Sequence, residues 1–208
     1  ANNSKPYQLA WIAGYGFAVP DTLVTTDERE ARHFHECHGS VIYKSVSGIR
    51  SIVAEISELH RDRLDDVSTC PTQFQQYVAG VDHRVHVVDD TVFACRIQST
   101  ATDYRYAALS ATTVTMSEET LPADIERQCL ELAHGLGLGL AGIDLRVDTD
   151  GRWWCFEVNT APGFTWFEEP IPVPLGYTVS NDPPSIVSPE GSAVYDPARD
   201  AYHLTLNV

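Results

Sequence analysis

The sequence predicts an α+β protein built on antiparallel hairpins. Two stretches carry the strands: HRVHVVDDTVFACRIQS (83–99) and AGIDLRVDTDGRWWCFEVN (141–159) each place β-rich segments on both sides of an aspartate-rich turn. A third carries the clearest helix. Between Pro122 and Gly135, Ile125, Cys129, Leu130, Leu132 and Ala133 recur at helical spacing, with Asp124 and Glu126 early.

The remaining elements follow in order. Lys5 to Tyr15 carries Tyr7, Leu9, Trp11 and Ile12 and stops at Gly14 and Gly16, which reads as a helix with a glycine cap. FAVPDTLVTT (17–26) is a short strand, and Thr26 or Asp27 can cap a helix over DEREARHFHEC. SVIYKSV (40–46) alternates and is β-branched, so it is a strand; SGIRS (47–51) is a turn or loop. Residues 53–64 read as a short helix, and PTQFQQYVAG (71–80) as a strand closed by glycine. Residues 102–117 are a Thr-rich connection, partly extended. Residues 164–208 hold seven of the 12 prolines and little periodicity, so 170–208 is expected to be extended or loosely attached.

Composition bounds the function. The 208 residues suffice for one domain or two small ones, and a 43% hydrophobic content is ordinary for a globular chain. A net charge of −15 opposes nucleic acid and anionic membranes at long range. No run of about 18 apolar residues predicts a membrane span. The segment ANNSKPYQ has neither the basic end nor the apolar core of a signal peptide, and the five cysteines are widely spaced without CxxC. Together these predict a cytoplasmic protein with buried thiols.

The last hairpin holds the chemistry. Residues i and i+2 of a strand share a face, so Glu157 and Asn159 point together and Phe156 and Val158 point the other way. The turn at 148–151 brings Asp144 opposite or close to Glu157. Two carboxylates held together repel unless a cation or a proton intervenes. With an amide oxygen they form a hard donor set suited to Mg²⁺, which commonly completes its shell with phosphates and water. A solvated polar sheet face is the alternative. Lys44 on its β-branched strand is a point charge for phosphate or a surface lysine. Asp82 and Arg84 share a face, as a site pair or a surface salt bridge. Arg146, on the face of Asp144, serves a transferring phosphoryl group, a carboxylate or the acidic cluster. HFHECH (33–38) supplies no convincing third and fourth metal ligand. GLGLGLAG (135–142) lacks the Gly-Lys-Ser/Thr of a Walker loop.

From about Asn3 to Phe167 the sequence resembles the ATP-grasp enzymes, in particular RimK-type and peptide-modifying members. GIDLRVDTDGRWWCFEVNTAPG is similar to the family's metal hairpin, VIYKS to its phosphate-lysine strand, and NSKPYQ to its entry segment with a second lysine. TQFQQYVAGVDHRVHVV is similar to the hinge and the strand after it. The resemblance implies a fold like the ATP-binding domain of glutathione synthetase: two α+β subdomains, each with an antiparallel sheet, clamping ATP between them. Residues 1–78 and 79–169 would be the two subdomains. Asp144, Glu157 and Asn159 would hold Mg²⁺. Lys5, Lys44, Gln76, Tyr77, Val78 and Asp82 would bind ATP. Arg84, Arg96, Arg105 and Arg146 would face the reacting groups.

That resemblance further implies a ligase that activates a carboxylate as an acyl phosphate and joins it to an amine or hydroxyl. YKSVSGIRSIV, CPTQFQQYV, DYRYA and WWCFEVNTAPGFTWFE look most like maturases of graspetides, which crosslink side chains of a ribosomal precursor peptide. A RimK-like ligase of amino acids or small peptides is the alternative, and a nucleotide-binding module without turnover is a third. Family members carry a further N-terminal domain, expected here from a longer chain or another subunit, and a homodimer is compatible with the chain. GSAVYDPARDAYHL faintly resembles a precursor-peptide segment, though an unstructured appendage is the expectation for the tail.

Overall fold

The computed structural model describes residues 5–46, 54–56, 64–99 and 114–162, and the strand backbones between 178 and 206. The chain divides into two units, Ala1–Ile171 and Pro172–Val208.

The first unit holds two antiparallel sheets. The smaller has the order β1-β4-β2-β3, from Thr22–Thr25, Thr72–Gln76, Val41–Ser45 and Ala54–Glu55. The helix expected over 53–64 thus begins as strand, because Ala54 and Glu55 pair with Tyr43 and Ile42; residues 57–63 lie outside the described part. Helix α2 (Glu28–His38) covers one face of this sheet. Asp27 caps it by accepting from the Arg29 amide at 2.8 Å, and Gly39 ends it at φ 70°. Ala31, Val41, Ile56, Leu64, Val67 and Phe74 form the small core beneath, with Leu64 and Val67 supplied by a short 3-10 helix (Leu64–Thr69).

The larger sheet has the order β7-β6-β5-β8-β9, from Val114–Glu119, Thr91–Ser99, Val81–Val88, Leu140–Val147 and Trp153–Asn159. Both hairpins form where the sequence predicts them. The first turns at Asp89, which takes φ 49°, a left-handed position that aspartate tolerates. The second turns at Asp148, whose carboxylate accepts from the Trp154 indole at 2.8 Å and from the Asp150 and Arg152 amides at 2.9 Å. The Trp154 bond, then the Arg152 amide, lower the Asp148 pKa.

Helix α3 (Ala123–Gly135) lays Ile125, Cys129, Leu132 and Ala133 on the inward residues Val85, Val87, Ile143, Leu145 and Val158. Helix α1 (Lys5–Gly14) joins this same core through Leu9 and Ile12, although its place in the chain groups it with the lysine strand. Gln8 explains the docking. Its carboxamide donates to the Val158 carbonyl (2.9 Å) and accepts from the Val158 amide (3.3 Å), as a neighbouring strand would.

All five cysteines are free, and burial sorts them. Cys95, Cys129 and Cys155 are buried, and burial raises the pKa of each; Cys129, also near Glu126, is pushed up to about 12. Cys37 and Cys70 are exposed. A thiol reagent at neutral pH is therefore expected to label these two alone in the native protein, and the buried three only after denaturation. Mass mapping of labelled peptides checks this.

The second unit, taken by itself, is a four-stranded antiparallel meander of β10 (Thr178–Asn181), β11 (Pro184–Ser188), β12 (Gly191–Asp196) and β13 (Ala201–Leu206). The proline content predicts extended chain, and the described residues there form strands. Pro183, Pro189 and Pro197 lie between strands, and Pro184 is the first residue of one.

Candidate functional site

Alternation along β5 and β8 builds one charged face. Val85, Val87, Ile143 and Leu145 turn into the helix-covered core, so Asp82, Arg84, Asp144 and Arg146 share the opposite face. The antiparallel register sets Asp82 opposite Arg146 and Arg84 opposite Asp144. Acid and base therefore meet across the strands, rather than along one strand as an Asp82–Arg84 pair. Arg146 forks onto Asp82 at 2.7 and 2.9 Å, and Arg84 Nη1 donates to Asp144 Oδ1 at 2.5 Å.

The hairpin places Asp144 directly opposite Glu157, and Gly142 opposite Asn159. A β-bulge separates the Asp144–Glu157 pair from Leu145–Cys155 and leaves Phe156 as the extra residue. This corrects the simple alternation. Cys155 and Val158, three apart, are both fully buried, and Phe156 turns to the charged face, with Arg146 5.4 Å from its ring centre. Glu157 and Asn159 keep their common face. Gly142 has a steric reason: a Cβ there would collide with the Arg84 guanidinium and Pro162. Arg84 thus lies across Gly142, on the strand that carries Asp144.

These donors fit a hard divalent ion by their chemistry: two carboxylates in register and an amide oxygen two residues along one ribbon. Asn159 Oδ1 already accepts from the Ala161 amide at 2.9 Å, which orients it and leaves its second lone pair. Arg84 offsets part of the negative charge.

The small sheet presents its own polar face. Phe74 and Val41 turn toward α2, and Lys44, Gln73 and Gln75 turn away from it. Lys44 is 6% exposed, which rules out a solvated surface lysine. Its ammonium donates to Gln75 Oε1 at 3.3 Å, and Gln75 Nε2 donates to Thr22 Oγ1 at 3.0 Å. Sequence reading missed this layer, although the Gln-x-Gln alternation in TQFQQ signals it.

Between the sheets runs the segment Gln76–Val78. Its backbone is tied at three points: Gln76 N to Asp21 O (2.9 Å), Tyr77 N to Ser40 O (3.0 Å), and Arg146 Nη1 to Val78 O (2.6 Å). Arg146 also lies 5.9 Å from the Tyr77 ring centre. Burial opposes its charge, but the bond and charge of Asp82 outweigh that and raise its pKa.

Three predicted residues stand elsewhere or cannot be placed. The register sets Arg96 opposite His83, on the core-side face and away from Arg84; it lies 3.9 Å from Glu119, which also meets His83 at 3.1 Å. Arg105 lies outside the described residues, as does the side chain of Lys5, the first residue of α1.

Residues 3–178 match the family profile of the RimK-like ATP-grasp domain. The chain belongs to the RimK-like ATP-grasp family. Its paired antiparallel sheets are those of the ATP-grasp fold. The ATP-grasp ligase PsnB, solved with a minimal precursor, is 31% identical with a TM-score of 0.70, over 81% of this chain and 56% of that one. The RiPP-associated ATP-grasp ligase of Chryseobacterium gregarium, solved with ADP and a leader and core peptide, is 29% identical with a TM-score of 0.70. That match covers 80% of this chain and 54% of that one. The D-alanine–D-alanine ligase of Chromohalobacter salexigens is 31% identical over 172 residues, 74% of this chain and 54% of the relative. The chain spans about half the length of these relatives.

Proposed function

We propose that this chain carries the nucleotide and metal site of an ATP- and Mg²⁺-dependent ligase acting on a ribosomal precursor peptide. The observation that carries the reading is the register of the last hairpin, which stacks Asp144, Glu157 and Asn159 on one face beside Arg84. Relatives solved with precursor peptides support the choice of a peptide. The donor set, and PsnB also solved with Mg and ADP, support Mg²⁺.

In this reading Asp144, Glu157 and Asn159 would hold Mg²⁺, which would supply charge neutralisation at the ATP phosphates. Lys44 meets phosphate oxygens, and Gln76–Val78 lies along the adenine. A substrate carboxylate attacks the γ-phosphorus, the bond to the β–γ bridging oxygen breaks, and ADP leaves. An amine or hydroxyl then attacks the acyl phosphate, giving an amide or ester as phosphate departs with the bonding pair and takes up the proton that the nucleophile loses. Arg84 steadies charge on the reacting carboxyl oxygens. Positioning and charge neutralisation carry the rate, so no protein nucleophile is required.

The test is mass spectrometry of peptides bearing both Asp or Glu and Ser, Thr or Lys, incubated with the protein and Mg·ATP. Each crosslink is expected as the loss of one water, with peptide-dependent ADP release. The D-alanine–D-alanine ligase relative favours a second reading, a ligase of amino acids or small peptides. ADP release driven by free amino acids and not by peptide would select it.

A further inference from the structure

Gln73 sits in the middle of β4, between β1 and β2, directly opposite Val24 on one side and Lys44 on the other. It is fully buried, yet neither Oε1 nor Nε2 has a hydrogen-bond partner among the described residues. Its neighbour two residues on behaves differently. Gln75 uses both ends of its carboxamide, accepting from Lys44 and donating to Thr22. A buried amide with both ends unmet is destabilising, and an apolar side chain of similar size would fill the same space without that penalty. A ligand that met both ends would remove that penalty.

The kind of ligand follows from what is unmet. A carboxamide offers a donor and an acceptor side by side. Phosphate oxygens are acceptors and would leave the Gln73 carbonyl unpaired. The adenine edge carries an acceptor, N7, beside a donor, the N6 amino group, and a glutamine matches the two together. Guanine presents acceptors at both places, N7 and O6, and cannot complete the pair. Gln73 also lies on the strand that runs directly into Gln76–Val78.

We propose that Gln73 reads the N6–N7 edge of the adenine and makes the site selective for ATP over GTP. The proposal rests on the nucleotide site proposed above and adds a base-specificity residue to it.

Calorimetric titration of the protein and of Gln73→Leu with Mg·ATP, Mg·GTP and Mg·7-deaza-ATP tests it, beside thermal melts without nucleotide. The wild type is expected to bind ATP at least about tenfold more tightly than GTP or 7-deaza-ATP. In Gln73→Leu that preference should shrink toward unity through weakened ATP binding, while the melting temperature without nucleotide holds or rises. The opposed signs separate a ligand-reading amide from a structural one. A lowered melting temperature, or an undiminished preference for ATP over 7-deaza-ATP, overturns the proposal and leaves the nucleotide site standing. Equal loss of affinity for all three nucleotides means a base-independent contact and overturns it too. A wild-type protein that binds no Mg·ATP overturns the site and this proposal together.

Discussion

Replacing Glu157 with glutamine is expected to slow ADP release by about 10³-fold while the protein melts at its usual temperature. The substitution keeps the size and the oxygen but removes one of two carboxylate charges that the hairpin holds in register. Its structural cost is small, because Glu157 is only partly buried and the neighbouring Asp144 keeps its own partner, Arg84 at 2.5 Å. Its chemical cost is large. In the proposed site a hard cation that loses an anionic donor would be held more weakly, and the triphosphate would lose the neutralising charge of that cation during transfer. Steady-state assay of ADP release beside a thermal melt separates the two. Turnover within about threefold of wild type would remove the ion from this hairpin. A fall in turnover matched by a fall in melting temperature would make Glu157 a structural residue.

Much of this site can be read from alternation, and the exceptions show where alternation stops. The parity of Asp82 with Arg84, and of Asp144 with Arg146, is a period-2 statement, and the structure keeps it. Phe156 breaks it because a bulge is a backbone event with no residue signature in WWCFEVN. Arg96 was legible and missed. A two-residue turn at Asp89–Asp90 pairs Val88 with Thr91, and counting back along both strands sets Arg96 opposite His83 rather than Arg84. The docking of α1 depends on one glutamine imitating a strand edge, a contact across 150 residues that local pattern does not reach. The strands after 178 were obscured because proline counts weigh against β-structure, although proline is compatible with the first position of a strand, as at Pro184.

Replacing Arg146 with methionine is expected to destabilise the protein by about 3 kcal/mol and to weaken ATP binding more than it slows turnover of bound ATP. Arg146 is 14% exposed at its side chain and Asp82 20%, so solvent screens this pair less than a surface bridge. One guanidinium serves two masters: its fork meets both Asp82 oxygens, and Nη1 meets the carbonyl of Val78 at 2.6 Å. Methionine fills the space between Tyr77 and Phe156 but leaves a half-buried carboxylate and a hinge carbonyl unmet. Lysine restores the charge without the fork, and should recover less than half of the loss. Adding Asp82→Asn to Arg146→Met removes the stranded charge, so the double variant should be more stable than Arg146→Met alone. Urea melts of the wild type, Asp82→Asn, Arg146→Met and the double variant measure that coupling, and KM for ATP against kcat shows whether Gln76–Val78 has been released. Independent effects of the two substitutions would mean that Arg146 holds the hinge without Asp82, and an unchanged KM would mean that Val78 needs no tether to β8.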